Sequence, residues 1–154
     1  MTGNNSDALF LKDPGYDYPT IVRGEGIYLY DEEGNVAAVA GELLAVFRQA
    51  GVPLQLILVD NGSSDGTRRA VERLEASEEE IEGVYLDRNQ GYGGGILAGM
   101  TRRTEDAKIV GYMWGDGQIQ ASDVIRVYRR LVAEKADIAK ARRVERIDGW
   151  RRAL

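Results

Sequence analysis

The 154-residue chain has no cysteine and no histidine. The first absence excludes disulfides, thiolate nucleophiles and sulfur-ligated metals; the second excludes a Ser-His-Asp relay and imidazole-bound zinc. Chemistry is left to carboxylates, amides, hydroxyls and backbone groups, so a bound metal should be a hard one. Long apolar runs are absent too. No stretch reaches the roughly 18 residues that suggest a membrane-spanning helix, and the opening MTGNNSDALF has neither a basic region nor a signal-like apolar core. The simplest localisation is cytoplasmic. Positive charge is not in excess either: a net charge of −5 argues against a nucleic-acid partner held by neutralised phosphates over the whole surface.

What is present is enough apolar material for one core. With 44% hydrophobic residues, a chain of this length suits one domain and is too short for two ordinary ones. Charge is unevenly spread. Asp7, Asp13, Asp17, Glu25, Asp31, Glu32 and Glu33 meet only Lys12 and Arg23 before position 36, whereas Lys140, Arg142, Arg143, Arg146, Arg151 and Arg152 outnumber Glu145 and Asp148 near the end. That basic tail suits either an anion or a solvated face.

The organising stretch is LQLILVDNGSSDGT, from Leu54 to Thr67. Its apolar run has no alternation, as in a parallel strand covered on both faces, and it ends abruptly in a polar loop. Ligands of open α/β sheets bind where such loops leave the strands. Before it, Met1 to Tyr18 is polar and reads as a poorly ordered arm, and Ile27 to Tyr30 as a short strand. Val36, Val39, Ala40, Leu43 and Phe47 fall on one helical stripe that Gly51 and Pro53 terminate. After the strand, Ser64 or Asp65 can cap a helix carrying Val71 and Leu74. Gly83 to Asp87 reads as a strand, and a helix begins near Tyr92 on Gly93, Gly94 and Gly95, whose entropic cost suggests a close approach to the backbone. Ile109 to Trp114 is another strand, Ser122 caps a helix with Val124, Val127, Tyr128 and Leu131 inward, and Asp137 to Ala141 is a last strand. This alternation predicts an α/β, doubly wound, mostly parallel sheet.

Three strand-end loops concentrate the chemistry: Asp60 to Asp65, Asn89-Gln90-Gly91, and Gly115 to Gln118. Asp60 and Asn61 offer acceptors and an amide donor suited to a base or ribose edge; equally, Asp60 can cap the next turn and Gly62 supply its positive φ. Asp116 and Gln118 can aim two oxygens at one Mg²⁺ or Mn²⁺, which needs few protein carboxylates when phosphates and water complete its shell; an Asp-Gly pair can also be only a turn.

In order and spacing, these loops resemble family 2 glycosyltransferases of the GT-A, Rossmann-like fold, and most closely the dolichol-phosphate mannosyltransferase-like branch. YDEEGNVAAVAGELLAVF is similar to the family's YNEEGN opening, LILVDNGSSDGT to its VDDGSSDGT loop and NQGYGGGILAGM to its glycine-rich helix. MWGDGQ is similar to the DADGQ metal loop, and ADIAKARRVERIDGWRRAL to the ADIV-x-GSR region. The resemblance implies a nucleotide-diphosphate sugar, UDP- or GDP-linked, near Glu32, Glu33, Asp60, Asn61, Ser63, Asp65, Asn89, Gly91 and Gly95. It puts a divalent cation, Mg²⁺ or Mn²⁺, on Asp116 and Gln118, and phosphate oxygens against Arg142, Arg143 and Arg146. It further implies inverting transfer to a polyprenyl-phosphate or saccharide acceptor, with attachment at most peripheral to a membrane.

The sequence departs from that pattern. Trp114 replaces the first aspartate of the metal loop, Asn61 the second aspartate of VDD, and Asp31 the asparagine of YNEE. The chain reads as an N-terminal arm, residues 1–26, and a donor-binding domain, 27–154, that is incomplete at its C-terminus, with a sheet edge through which copies can associate. Separately, PTIVRGEGIYLYDEEG resembles the entry segment of class III pyridoxal-phosphate aminotransferases but holds no cofactor motif. The alternative to an enzyme is a non-catalytic interaction module on a glycosyltransferase scaffold.

Overall fold

The computed structural model describes residues 9–12, 25–29, 35–115, 117 and 119–141, with side chains from 35 onward. Ten elements follow in order: β1 (Leu9–Lys12), β2 (Glu25–Leu29), α1 (Val36–Ala50), β3 (Leu54–Asp60), α2 (Thr67–Ser77), β4 (Ile81–Tyr85), α3 (Gly91–Met100), β5 (Ile109–Tyr112), α4 (Ala121–Glu134) and β6 (Ile138–Lys140). The strands form one sheet in the order β4-β3-β2-β5-β1-β6. The four strands from β4 to β5 run parallel, and β1 pairs antiparallel with both β5 and β6.

Strand β3 shows why the sheet is double-sided. Leu54, Leu56 and Leu58 point into a core shared with α1, α2 and α4, while Ile57 and Val59 join Val84, Ala98, Met100, Val110 and Tyr112 in a smaller cluster under α3. With alternate residues packed on opposite faces, no solvent face is left to be polar, and the strand reads as an unbroken apolar run. Burial on the first face centres on Leu43, Phe47 and Leu131, and the Phe47 and Tyr128 rings meet at 6.0 Å.

Helix α1 buries the predicted stripe together with Leu44. It ends where Gly51 turns left-handed (φ 66°) and Val52 N–H reaches back to the Phe47 carbonyl. The other boundaries need correction. Leu9–Lys12, in the stretch read as loop, is a strand recruited between β5 and β6. Strand β4 starts two residues before the predicted Gly83, because Ile81 packs into the core opposite Leu56 and its N–H bonds the Glu78 carbonyl. Gly66, not Ser64 or Asp65, stands at the N-cap of α2, although an Asp65 carboxylate oxygen accepts the Thr67 N–H at 2.9 Å. Helix α4 starts before Ser122, from a Gln120 cap, and buries Ile125 with Val124, Tyr128 and Leu131.

Strand β4 is an edge of the sheet. Its outward Gly83 N–H donates to a Glu75 carboxylate oxygen at 2.9 Å, and the Tyr85 hydroxyl donates to the other oxygen at 2.7 Å. A side chain from α2 thus occupies a position that an added strand would use.

Candidate functional site

The chain moves outward from β2 to β3 to β4, then crosses under the sheet through α3 and returns on the other side of β2 as β5. The strand order therefore reverses between β2 and β5, and the crevice of an open α/β sheet lies at the carboxyl ends flanking such a reversal. The carboxyl end of β5, with residues 113–115, borders it, and the loops after β3 and β4 lie alongside. Glu32, Glu33, Asp116, Gln118, Arg142, Arg143 and Arg146 lie outside the described residues. Asp60, Asn61, Ser63, Asp65, Asn89, Gly91 and Gly95 lie within them.

Asp60, expected to present its acceptors to a ligand, ends β3 wholly buried, and both of its oxygens are engaged. Oδ1 accepts the Ser63 N–H at 2.9 Å and Oδ2 accepts Arg68 Nε at 2.8 Å. Burial works against its charge, but the hydrogen bonds from Ser63 and Arg68 outweigh it and hold the carboxyl below its usual 3.8. Arg68 also donates to the Leu86 carbonyl at 2.9 Å and lies 5.6 Å from the centre of the Tyr85 ring. Asp60 thus takes the turn-forming role, tying β3, α2 and the end of β4 together. Ser63 is left half-buried and Asp65 exposed on the loop.

Asn61 joins two of the predicted loops. Its amide nitrogen donates to Asn89 Oδ1 at 3.1 Å and to the Gly91 carbonyl at 3.2 Å, while its oxygen accepts the Gln90 N–H at 3.0 Å. Backbone partners fix the orientation, since a carbonyl can only accept and an N–H only donate. An aspartate here would lack both donated bonds, which explains asparagine at this point of the loop. Gly62 lies against the same segment: with φ at +74°, a Cβ would stand 2.5 Å from Arg88 C and 2.6 Å from Asn89 N. This, rather than the run at Gly93 to Gly95, is the tightest backbone approach at the loop. Gly93 would meet nothing within 4 Å, while Gly95 is buried.

The third loop is tied by aromatic rings. Trp114 stacks on Tyr92, the second residue of α3, at 4.7 Å with 6° between planes, and Tyr92 sets its edge on Tyr112 at 6.3 Å. Neither Arg68 nor Tyr92 was among the expected site residues. A buried carboxylate needs a cation, and Arg68 on the next helix was the available signal; nothing in the sequence pairs Tyr92 with Trp114. Among the described residues no cluster of three carboxylates could hold a metal, and none of the helices is long and apolar enough to cross a membrane.

A mostly parallel α/β sheet, with polar and glycine-rich loops gathered beside its topological switch point, defines a Rossmann-like domain. The chain belongs to glycosyl transferase family 2, whose profile matches residues 27–153. Among similar proteins is the undecaprenyl-phosphate 4-deoxy-4-formamido-L-arabinose transferase of Pectobacterium carotovorum subsp. carotovorum (strain PC1), 32% identical over 129 residues, covering 83% of this chain and 38% of that protein. The transferase of the same name from Pseudomonas aeruginosa (strain LESB58) is 31% identical over 140 residues, 88% of this chain and 40% of its own length. The chain thus spans about two fifths of these relatives. A solved mannosyltransferase from Pyrobaculum calidifontis, in complex with GDP-Man and Mn²⁺, is 21% identical, covers 60% of this chain and 26% of its own, and gives a TM-score of 0.42.

Proposed function

We propose that this domain binds the nucleotide-diphosphate sugar of an inverting sugar transferase, UDP- or GDP-linked, whose acceptor is a polyprenyl phosphate or a saccharide. The observation that carries the reading is the reversal of strand order between β2 and β5, in a chain whose family membership spans residues 27–153. The relatives named above, transferases acting with undecaprenyl phosphate by their names, favour the polyprenyl-phosphate acceptor.

In this reading Asp60 and Asn61 shape the pocket. The turn they hold offers Ser63 and Asp65 to the nucleotide, and Asn61 brings Asn89, Gly91 and the start of α3, up to Gly95, alongside. Asp60 and Asn61 would stand at the base and ribose, with Glu32 or Glu33 nearby. Arg142, with Arg143 and Arg146, supplies guanidinium forks to phosphate oxygens. Trp114 brings no oxygen to the loop after β5, so the donor set there is the Asp116 carboxylate and the Gln118 carbonyl. Two hard oxygens fit Mg²⁺ or Mn²⁺ when phosphates and water complete the shell. Asp116 and Gln118 would hold such a cation, whose charge would offset that developing on the departing diphosphate.

The test is calorimetric titration of the full chain with UDP- and GDP-sugars in the presence of Mn²⁺. Saturable heat with at least one donor, lost in Asp116→Ala, is the expected outcome; no heat with any nucleotide diphosphate at millimolar concentration overturns the reading.

A further inference from the structure

Trp114 stands two residues past β5 and two before Asp116, where the family resemblance puts a first metal-binding aspartate. Its indole can only donate a hydrogen bond and cannot ligate a hard cation. Instead its ring lies flat on Tyr92, 4.7 Å away, and Tyr92 in turn meets Tyr112 edge-on, so three rings tie the loop after β5 to the start of α3. Tyr92 remains 42% exposed at this edge of the sheet. Two carboxylates on one short loop repel each other until a cation arrives, which makes the cation part of the loop's own structure. Replacing one of them by a stacked ring removes that repulsion and fixes the loop by dispersion and apolar burial.

We infer that the Tyr92–Trp114 stack is a clamp that sets the start of the loop after β5 without a cation, so that a cation taken by Asp116 and Gln118 serves the diphosphate and not the fold of that segment. Tyr92 is then a positioning residue. The inference rests on the nucleotide-sugar reading for its purpose, but not for its test.

Trp150 is the chain's other tryptophan, so full-length W150F carries Trp114 as its sole indole. Near-ultraviolet circular dichroism and acrylamide quenching of Trp114 are measured in EDTA and in Mn²⁺, for this parent and for Y92F and Y92L in the same background. The expected result is a parent spectrum and quenching constant that do not change with Mn²⁺. Y92L should quench severalfold more readily, and Y92F, which keeps the ring, should match the parent. Titrations with GDP and UDP should weaken roughly fivefold in Y92L, the size of one lost aromatic pair. In W114D, which loses the ring and gains a second carboxylate, nucleotide binding should fall off more steeply than the parent's as Mn²⁺ is withdrawn. A parent spectrum that forms only on adding Mn²⁺ overturns the clamp without recourse to any variant, as does unchanged quenching in a folded Y92L. If neither nucleotide binds the parent, the functional reading fails, while the spectra still decide the clamp.

Discussion

At the amino edge of the parallel strands Arg48 spans Glu78 and Glu80, at 2.6 and 2.8 Å; at the carboxyl edge Arg68 meets Asp60 at 2.8 Å. The lengths match, yet the environments differ. The Arg48 side chain is 51% exposed and its partners about a third, whereas the Asp60 carboxylate is fully enclosed. In water such a trio exchanges one set of solvated contacts for another and contributes little. The enclosed carboxylate has no water to fall back on, so its partners decide the shape of the loop. The amino edge also holds an open groove of about 740 Å³, lined by Leu44, Phe47, Pro53 and Leu54 with Arg48 and Glu80 at its rim. It lies at the opposite end of the strands from the topological switch point.

The comparison breaks most visibly at Asp60. Replacement by Ala leaves the Ser63 N–H without its acceptor, while Arg68, 41% exposed, can turn to water. We expect a loss of about 2–3 kcal/mol in urea unfolding, below the cost of breaking a pair enclosed on both sides. Asn61→Asp comes next. It removes the donors that Asn89 and Gly91 receive and should cost about 1–3 kcal/mol, with faster amide exchange at Gln90 and Gly91 as its local signature.

Acid sharpens the contrast further. The folded pKa of Asp60 lies below its unfolded 3.8, so its stabilisation is whole above that pH and is lost as the pH falls from 3.8 through the folded value. Wild type should therefore lose its advantage over Asp60→Asn below about pH 4; a constant difference from pH 6 to pH 3 would count against the assignment. The smallest effect belongs to Arg48→Ala. Its unfolding midpoint should shift only slightly, and the shift should vanish in 0.5 M salt, taken as about the strength that screens exposed pairs.

Much of the architecture was legible because core packing leaves a periodic trace. The apolar run of β3, the 3.6-residue stripes of α1 and α4, and the Gly51 stop each carry their cause in neighbouring residues. Strand β1 does not: four residues in a polar stretch become a strand only because β5 and β6 accept them. The start of β4 was hidden by its acidic neighbours, since Glu78 and Glu80 look like helix termination although Ile81 is already in the core. In the candidate site, the identity of the polar loops was readable and their partnerships were not. Nothing local shows that Asp60 faces Arg68, that Asn61 reaches Gly91, or that Tyr92 lies under Trp114. Those contacts exist only after the sheet has brought distant loops together.

The carboxylate of Glu75 on the rim of β4 has a bearing on assembly. A sheet with two open rims can add copies at both and grow without limit, whereas a sheet with one rim closed can at most meet a second copy and stop. With the Gly83 amide already taken, an incoming strand at β4 must first displace Glu75. Pairing through this rim therefore carries the cost of breaking the two bonds that Glu75 makes to β4.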